Sequence, residues 1–194
     1  SAIKNRRVRM SNLKELTWEH HKNAERQLFV KEMFAKEPQI SAERYATYLF
    51  NQHPQYNMLE MFAMMHGLFD GMPSLRRAPA IHDDYQELWG EANPHQPPLM
   101  PVVKEYMQYL MSIKDDADKL MAHVYVRHMG DLSGGQMIAK RVPGQGRMYQ
   151  FEQGHDELKE LIRARLNDNM ADEAKVCFDF ATKMFQELGE AKQS

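Results

Sequence analysis

Cysteine is almost missing from this chain: Cys177 stands alone among 194 residues. A single thiol excludes an internal disulfide and fits a reducing compartment. Long apolar runs are missing as well. No stretch approaches the roughly 20 residues of a membrane span, and no signal-peptide pattern opens the chain. There are no period-2 strands, no internal repeats and no linker composition, so one domain without a sheet is expected. Cys-x-x-Cys, a Walker loop and His-Glu-x-x-His are also absent. A di-iron carboxylate bundle needs paired Glu-x-x-His motifs on two helices. The one match, Glu152-Gln-Gly-His155, contains a glycine and lies by a loop, which speaks strongly against such a centre.

What is present is ordinary in bulk and unusual in detail. Hydrophobic residues at 43% and charged residues at 27% describe a soluble globule. Sixteen methionines suggest a soft helical core, and Met also adapts to large apolar ligands. Ser1 to Arg9 carries Lys4, Arg6, Arg7 and Arg9 without apolar periodicity. It reads as an appended tail, 1–9, before a domain spanning 10–190. A basic arm for nucleic acid ranks lower, because the rest of the chain lacks basic–aromatic interleaving.

Nearly everything else reads as helix, and the fold class is all-α. Ser11 or Asn12 caps a first helix through about Phe34. Ser41 starts a second, which Pro54 punctuates. A third, rich in Met, runs from about Gln55 to Phe69. After loops at 71–74 and 77–79 comes a short helix near Asp83 to Trp89, then an extended 93–98 segment with three prolines. Long helices follow over about Val102–Ser112 and Asp115–Lys140, then a loop at 142–147. Helices near Asp156–Asn167 and Ala171–Leu188 close the pattern.

The stretch from Tyr125 to Gln136 places Gly130, Gly134 and Gly135 inside a helical apolar period. Each such glycine costs about 1 kcal/mol relative to alanine. Two readings fit: a bent helix whose bare backbone lies against a flat ligand, or a helix that stops at Gly130 and restarts after Gly135. On the first helix Lys14, Thr17, His21, Ala24, Glu25 and Leu28 share a face. His21 thus has a small neighbour and a carboxylate four residues on, the partner a ligating imidazole uses to fix its ring. Adjacent His20 points about 100° away from His21, toward solvent. Lys159 and Arg163, also four apart, can face one anion together.

Taken together these residues resemble the haem oxygenases, from about Leu13 to Leu188. The most specific part is Gly130-Asp-Leu-Ser-Gly-Gly-Gln136 after Tyr125-x-Arg127. Supporting parts are Leu13-Lys-Glu-x-Thr-x-Glu-x-His21-x-x-Ala-Glu25, Leu158-Lys-x-Leu-x-Arg-x-Arg-x-Asn167, Glu173-Ala-Lys-x-x-Phe178 and Phe185-x-Glu-Leu188. The resemblance implies a single helical domain with haem b between a proximal and a distal helix. It implies His21 as the iron ligand, with Glu25 as partner and Thr17 and Ala24 on the same face. Gly130, Gly134 and Ser133 would lie over the haem. Asp131, with Arg127 and Tyr56, would hold a water network to bound dioxygen. Lys14, Tyr125, Lys159 and Arg163 match propionate positions, and Phe178 matches a pocket wall.

The implied reaction is cleavage of haem, both substrate and cofactor, to biliverdin, carbon monoxide and ferrous iron, with alpha-meso opening the default. A haem carrier or sensor with the same fold and no turnover is the alternative. No apolar anchor follows Leu188, which resembles soluble bacterial, cyanobacterial and plastid-type members: monomers of the cytoplasm or stroma that use ferredoxin or a similar acidic donor and can feed a bilin reductase. A basic face of Arg76, Arg77, Lys140, Arg141 and Arg147 could receive that donor. Departures are His128-Met129, where the family commonly has an aromatic and a leucine, Ala181, where some relatives carry an amide, and the short 142–147 loop.

Overall fold

The computed structural model describes residues 11–90 and 93–191, so the 1–9 tail lies outside it. All regular structure among the described residues is helical. The first expected helix is three pieces, α1 (Leu13–Leu16), α2 (Trp18–Glu25) and α3 (Leu28–Phe34). Thr17 sits at the first break and its hydroxyl donates back to the Leu13 carbonyl at 2.6 Å, a bond that competes with the helical ladder. Gln27, in extended backbone, makes the second break.

Pro54 does the opposite of what its identity predicts. One helix, α4 (Ala42–Met65), runs straight past it. Serine 41 caps this helix as expected, accepting from the Arg44 amide at 3.1 Å. A mid-helix proline costs about 3 kcal/mol. α4 meets that cost through packing, with Asn51, Gln52, Gln55 and Tyr56 buried on both sides of the proline. α5 (Ala78–Trp89) starts earlier than Asp83, with Pro79 in its first turn where a missing N–H is harmless. Its cap comes from another helix: buried Glu60 on α4 accepts the Arg77 and Ala78 amides at 2.6 and 2.9 Å. Sequence spacing cannot reveal such a cap.

The prolines of 93–98 give the expected extended segment, pinned by Asn51, which donates to the Pro98 carbonyl and accepts from the Met100 amide. α6 (Pro101–Ser112) leads to α7 (Ala117–Leu132), capped by Asp116. The helix neither stops at Gly130 nor runs on unbroken. α7 passes through Gly130 as helix and breaks at Ser133 (φ −111°, ψ −90°), and α8 (Gly135–Ala139) follows. α9 (His155–Arg163) ends before Asn167, and a single turn at 168–170 leads into α10 (Ala171–Ala191). Asp168 there accepts the Asn12 amide at 2.7 Å, tying α1 to this end.

Two apolar clusters form the core. One joins α4, α6, α7 and α9 around Leu59, Leu110, Leu120 and Leu158. The other joins α3, α4, α5 and α10 around Phe29, Tyr45, Ile81 and Met184. α10 supports the site: α2 and α7 both pack on it.

Candidate functional site

Helical geometry splits the Tyr125–Gln136 stretch into an inner and an outer surface. Gly130, Ser133 and Gly134 are exposed, whereas Asp131 between them points inward and is 6% exposed. A Cβ built on Gly130 would meet nothing within 4 Å, and one on Gly134 would come no closer than 3.9 Å to the Gly130 carbonyl. The chain therefore presents bare backbone to open space, a strip that side chains would fill. Gly135 has a different reason to exist: a Cβ there would lie 2.5 Å from the Tyr149 ring.

Behind the strip, Tyr56 donates to Asp131 Oδ2 at 2.9 Å. Burial pushes the Asp131 carboxyl up to about 7, against opposing pulls from His128, Tyr56, Arg77 and Arg127. Arg127 is placed beside this pair, not on it. Its guanidinium donates to Gln55 Oε1 at 2.7 Å, Gln52 Oε1 at 3.2 Å and the Tyr106 hydroxyl at 3.3 Å. It lies 5.3 Å from the centre of the Tyr56 ring. The Tyr106 hydroxyl also meets His123 Nδ1 at 2.6 Å, and His123 Nε2 meets Glu173 at 2.8 Å. Gln52, Gln55, Tyr106 and His123 were not singled out in the sequence. The signal for the two amides was their spacing, which puts them on the Tyr56 face of α4.

α2, which packs on the same helix α10 as α7 does, carries His21. Its Nε2 pairs with Glu25 Oε1 at 2.7 Å, leaving the second ring nitrogen for a ligand. The ring stacks on Phe178 of α10 at 5.1 Å and meets Trp18 edge-on at 5.6 Å. Thr17 and Ala24 are buried; the Thr17 hydroxyl is spent on Leu13, as described above. His20 is not simply solvated as expected, since it bonds Asp179 at 2.8 Å. Of the candidate propionate partners, Tyr125 on α7 is half-buried; burial raises its phenol and Arg163 of α9 pulls it back. Lys159 shares α9, and Lys14 sits on α1 beside the 168–170 turn that follows α9.

The expected basic face is corrected. Arg77 is 5% exposed, stacked 3.8 Å over Phe151 and donating to the Ser74, Met148 and Gln150 carbonyls. Arg147 is paired with Asp84 and Glu87. Carbonyls and carboxylates claimed these cations, and Arg76 is drawn to buried Glu60 at 3.8 Å, leaving Lys140 and Arg141 of the set.

Residues 9–187 match the protein-family model described as Heme oxygenase. The chain belongs to the haem oxygenase family. It is 28% identical to Heme oxygenase 2 of Macaca fascicularis over 97% of this chain and 69% of that protein. The crystal structure of heme oxygenase-1 from the cyanobacterium Synechocystis sp. PCC6803, in complex with heme, superposes with a TM-score of 0.77 at 25% identity, covering 93% of this chain and 94% of that one. The heme oxygenase of Leptospira interrogans gives 0.76 at 28%, covering 90% and 97%. Haem degradation is the chemistry of this haem oxygenase, haem is its substrate, and the all-α fold is that of the family. No helix among the described residues is long and apolar enough to cross a membrane.

The residues present suit that substrate. A bare-backbone strip accepts a flat face, and an imidazole with one nitrogen anchored to a carboxylate suits iron. Cations at the α1–α9 end of this haem oxygenase suit carboxylates.

Proposed function

We propose that the protein opens the haem macrocycle at the alpha-meso carbon with dioxygen, releasing biliverdin, carbon monoxide and ferrous iron. The observation that carries this reading is Asp131: a buried carboxyl bonded to Tyr56, directly behind the bare backbone of Gly130 and Gly134. Haem, held by His21 and faced by the Gly130 and Gly134 backbone, would supply the redox-active iron and would itself be the group that is cut.

The chain's own residues do the rest. His21 would offer the iron an imidazole, a weaker electron donor than a thiolate. Glu25 fixes its ring, and Thr17, Ala24 and Phe178 shape the surface around it. Gly130 and Gly134 leave room above the ring, with Ser133 at the edge. Asp131, titrating near neutrality, gives and retakes a proton at its Oδ atoms, the behaviour a general acid at working pH needs. Tyr56 orients that carboxyl, and Arg127 holds the α4 amides in place. Lys14, Tyr125, Lys159 and Arg163 oppose the propionates and so set which meso carbon lies nearest the reaction. Electrons come from an external donor, ferredoxin or a similar acidic protein, and the product can pass to a bilin reductase. The protein acts as a soluble monomer.

Hemin titration followed by reductant and oxygen tests this. A Soret band and then a green biliverdin product are expected. Asp131→Asn should lower product formation at least about 100-fold while haem affinity stays within a few-fold. Unchanged turnover in that variant would remove Asp131 as the proton group, and haem bound but never cleaved by the wild type would make the protein a carrier.

A further inference from the structure

His128 is the departure from family pattern that the reaction above leaves unused. It occupies a position where an aromatic is common, and it is completely buried. Both ring nitrogens face oxygens: Nε2 lies 2.8 Å from Glu60 Oε2, and Nδ1 lies 3.1 Å from the Val124 carbonyl. Glu60 is already an acceptor from the Arg77 and Ala78 amides, with Arg76 Nε 3.8 Å away. A carboxylate so surrounded has no proton to give, and a carbonyl has none. Two acceptors on one ring is the pattern of an imidazolium. The His128 ring stands edge-on to Tyr56 at 5.4 Å and to Phe69 at 5.5 Å. Tyr56 is the donor to Asp131, which follows His128 by three residues on the same helix.

We propose that His128, locked by Glu60, is a positioning residue for the distal proton group: it fixes Tyr56 against Asp131 and lends that site a positive charge that an aromatic at this position cannot supply. This rests on the reading of Asp131 as that group. Burial drives the Asp131 proton affinity up, and among the groups that oppose it His128 comes first, ahead of Tyr56, Arg77 and Arg127. Three buried phenols, Tyr45, Tyr48 and Tyr149, also feel the Asp131 charge, and burial keeps them neutral. Glu60 offsets part of the His128 charge, but its own charge is spread over two backbone amides and Arg76.

The test is a carboxyl-carbon NMR titration of the apoprotein, with the Asp131 signal assigned by its loss in Asp131→Asn. His128→Gln keeps a donor toward Glu60 and loses the charge; His128→Phe loses both. The Asp131 midpoint is expected to move up by about one pH unit or more in both, a tenfold or larger change in its proton affinity. A midpoint unmoved in folded His128→Gln overturns the proposal even if His128→Phe fails to fold, and so does a shift seen only in the phenylalanine variant. The readout needs no haem, so it stands or falls separately from turnover: loss of the Asp131 role would appear in product formation, not in this midpoint.

Discussion

The two sides of the proposed haem site are built differently. On the proximal side, His21 and Glu25 sit on the eight-residue α2 with side chains 33% and 60% exposed. A pair that wet contributes little to folding. On the distal side, Arg127, His128 and Asp131 are buried on the sixteen-residue α7, and each bonds side chains from α4 or α6. Preorganised groups in a dry site act on developing charge without first reorganising. The proposed distal half is therefore finished by the fold, while the proposed proximal half rests on a partly exposed imidazole. Substitutions should cost stability on the distal side and haem ligation on the proximal side.

The sharpest probe is Arg127→Met. It strands the buried Gln55 amide oxygen and takes one donor each from Gln52 Oε1 and the Tyr106 hydroxyl, and chemical denaturation should show a loss of about 3–5 kcal/mol. Asp131→Asn should give a pH-dependent result. A carboxyl raised from 3.8 to about 7 by folding stabilises the native state fully below the unfolded value, and that contribution is lost as pH rises through 7. Relative to the asparagine variant, wild type should therefore weaken between pH 4 and pH 8, by about 2–4 kcal/mol. A flat difference across that range would mean the carboxyl is not buried as described.

The glycines separate packing from cradle within the distal side itself. Gly135→Ala drives a methyl into the Tyr149 ring and should cost about 1–3 kcal/mol by denaturation. Gly130→Ala meets open space and removes a helical glycine, so the apoprotein should gain about 0.5–1 kcal/mol. The same variant should weaken haem binding, because the methyl occupies the strip. A Gly130→Ala protein that binds hemin unchanged breaks the assignment of that strip.

The helical class, the His21–Glu25 pair and the Asp131 stretch were legible because each follows from spacing along one helix. Tyr56 was legible only through family resemblance, since nothing local to α4 points at Asp131. Contacts between helices were hidden. Glu60 capping α5 and pairing with His128, and Gln52 and Gln55 holding Arg127, depend on how α4 lies against its neighbours. Pro54 misled for the same reason: a local helix breaker was overruled by burial along the whole of α4. Arg77 and Arg147 misled in the opposite sense, as surface cations by composition that folding turned into partners for carbonyls and carboxylates.

The proximal side offers the smallest expected change in stability and the plainest change in ligation. His21→Ala removes a ring that is one-third exposed, paired with an exposed glutamate and stacked on Phe178. Its loss should alter apoprotein stability by no more than about 0.5 kcal/mol, the ordinary range for surface substitutions. The ferric spectrum with hemin should lose its imidazole-ligated form, and added imidazole should restore it. A large loss of stability would show that α2 is as finished as α7, erasing the asymmetry. An unchanged spectrum would move the iron ligand elsewhere.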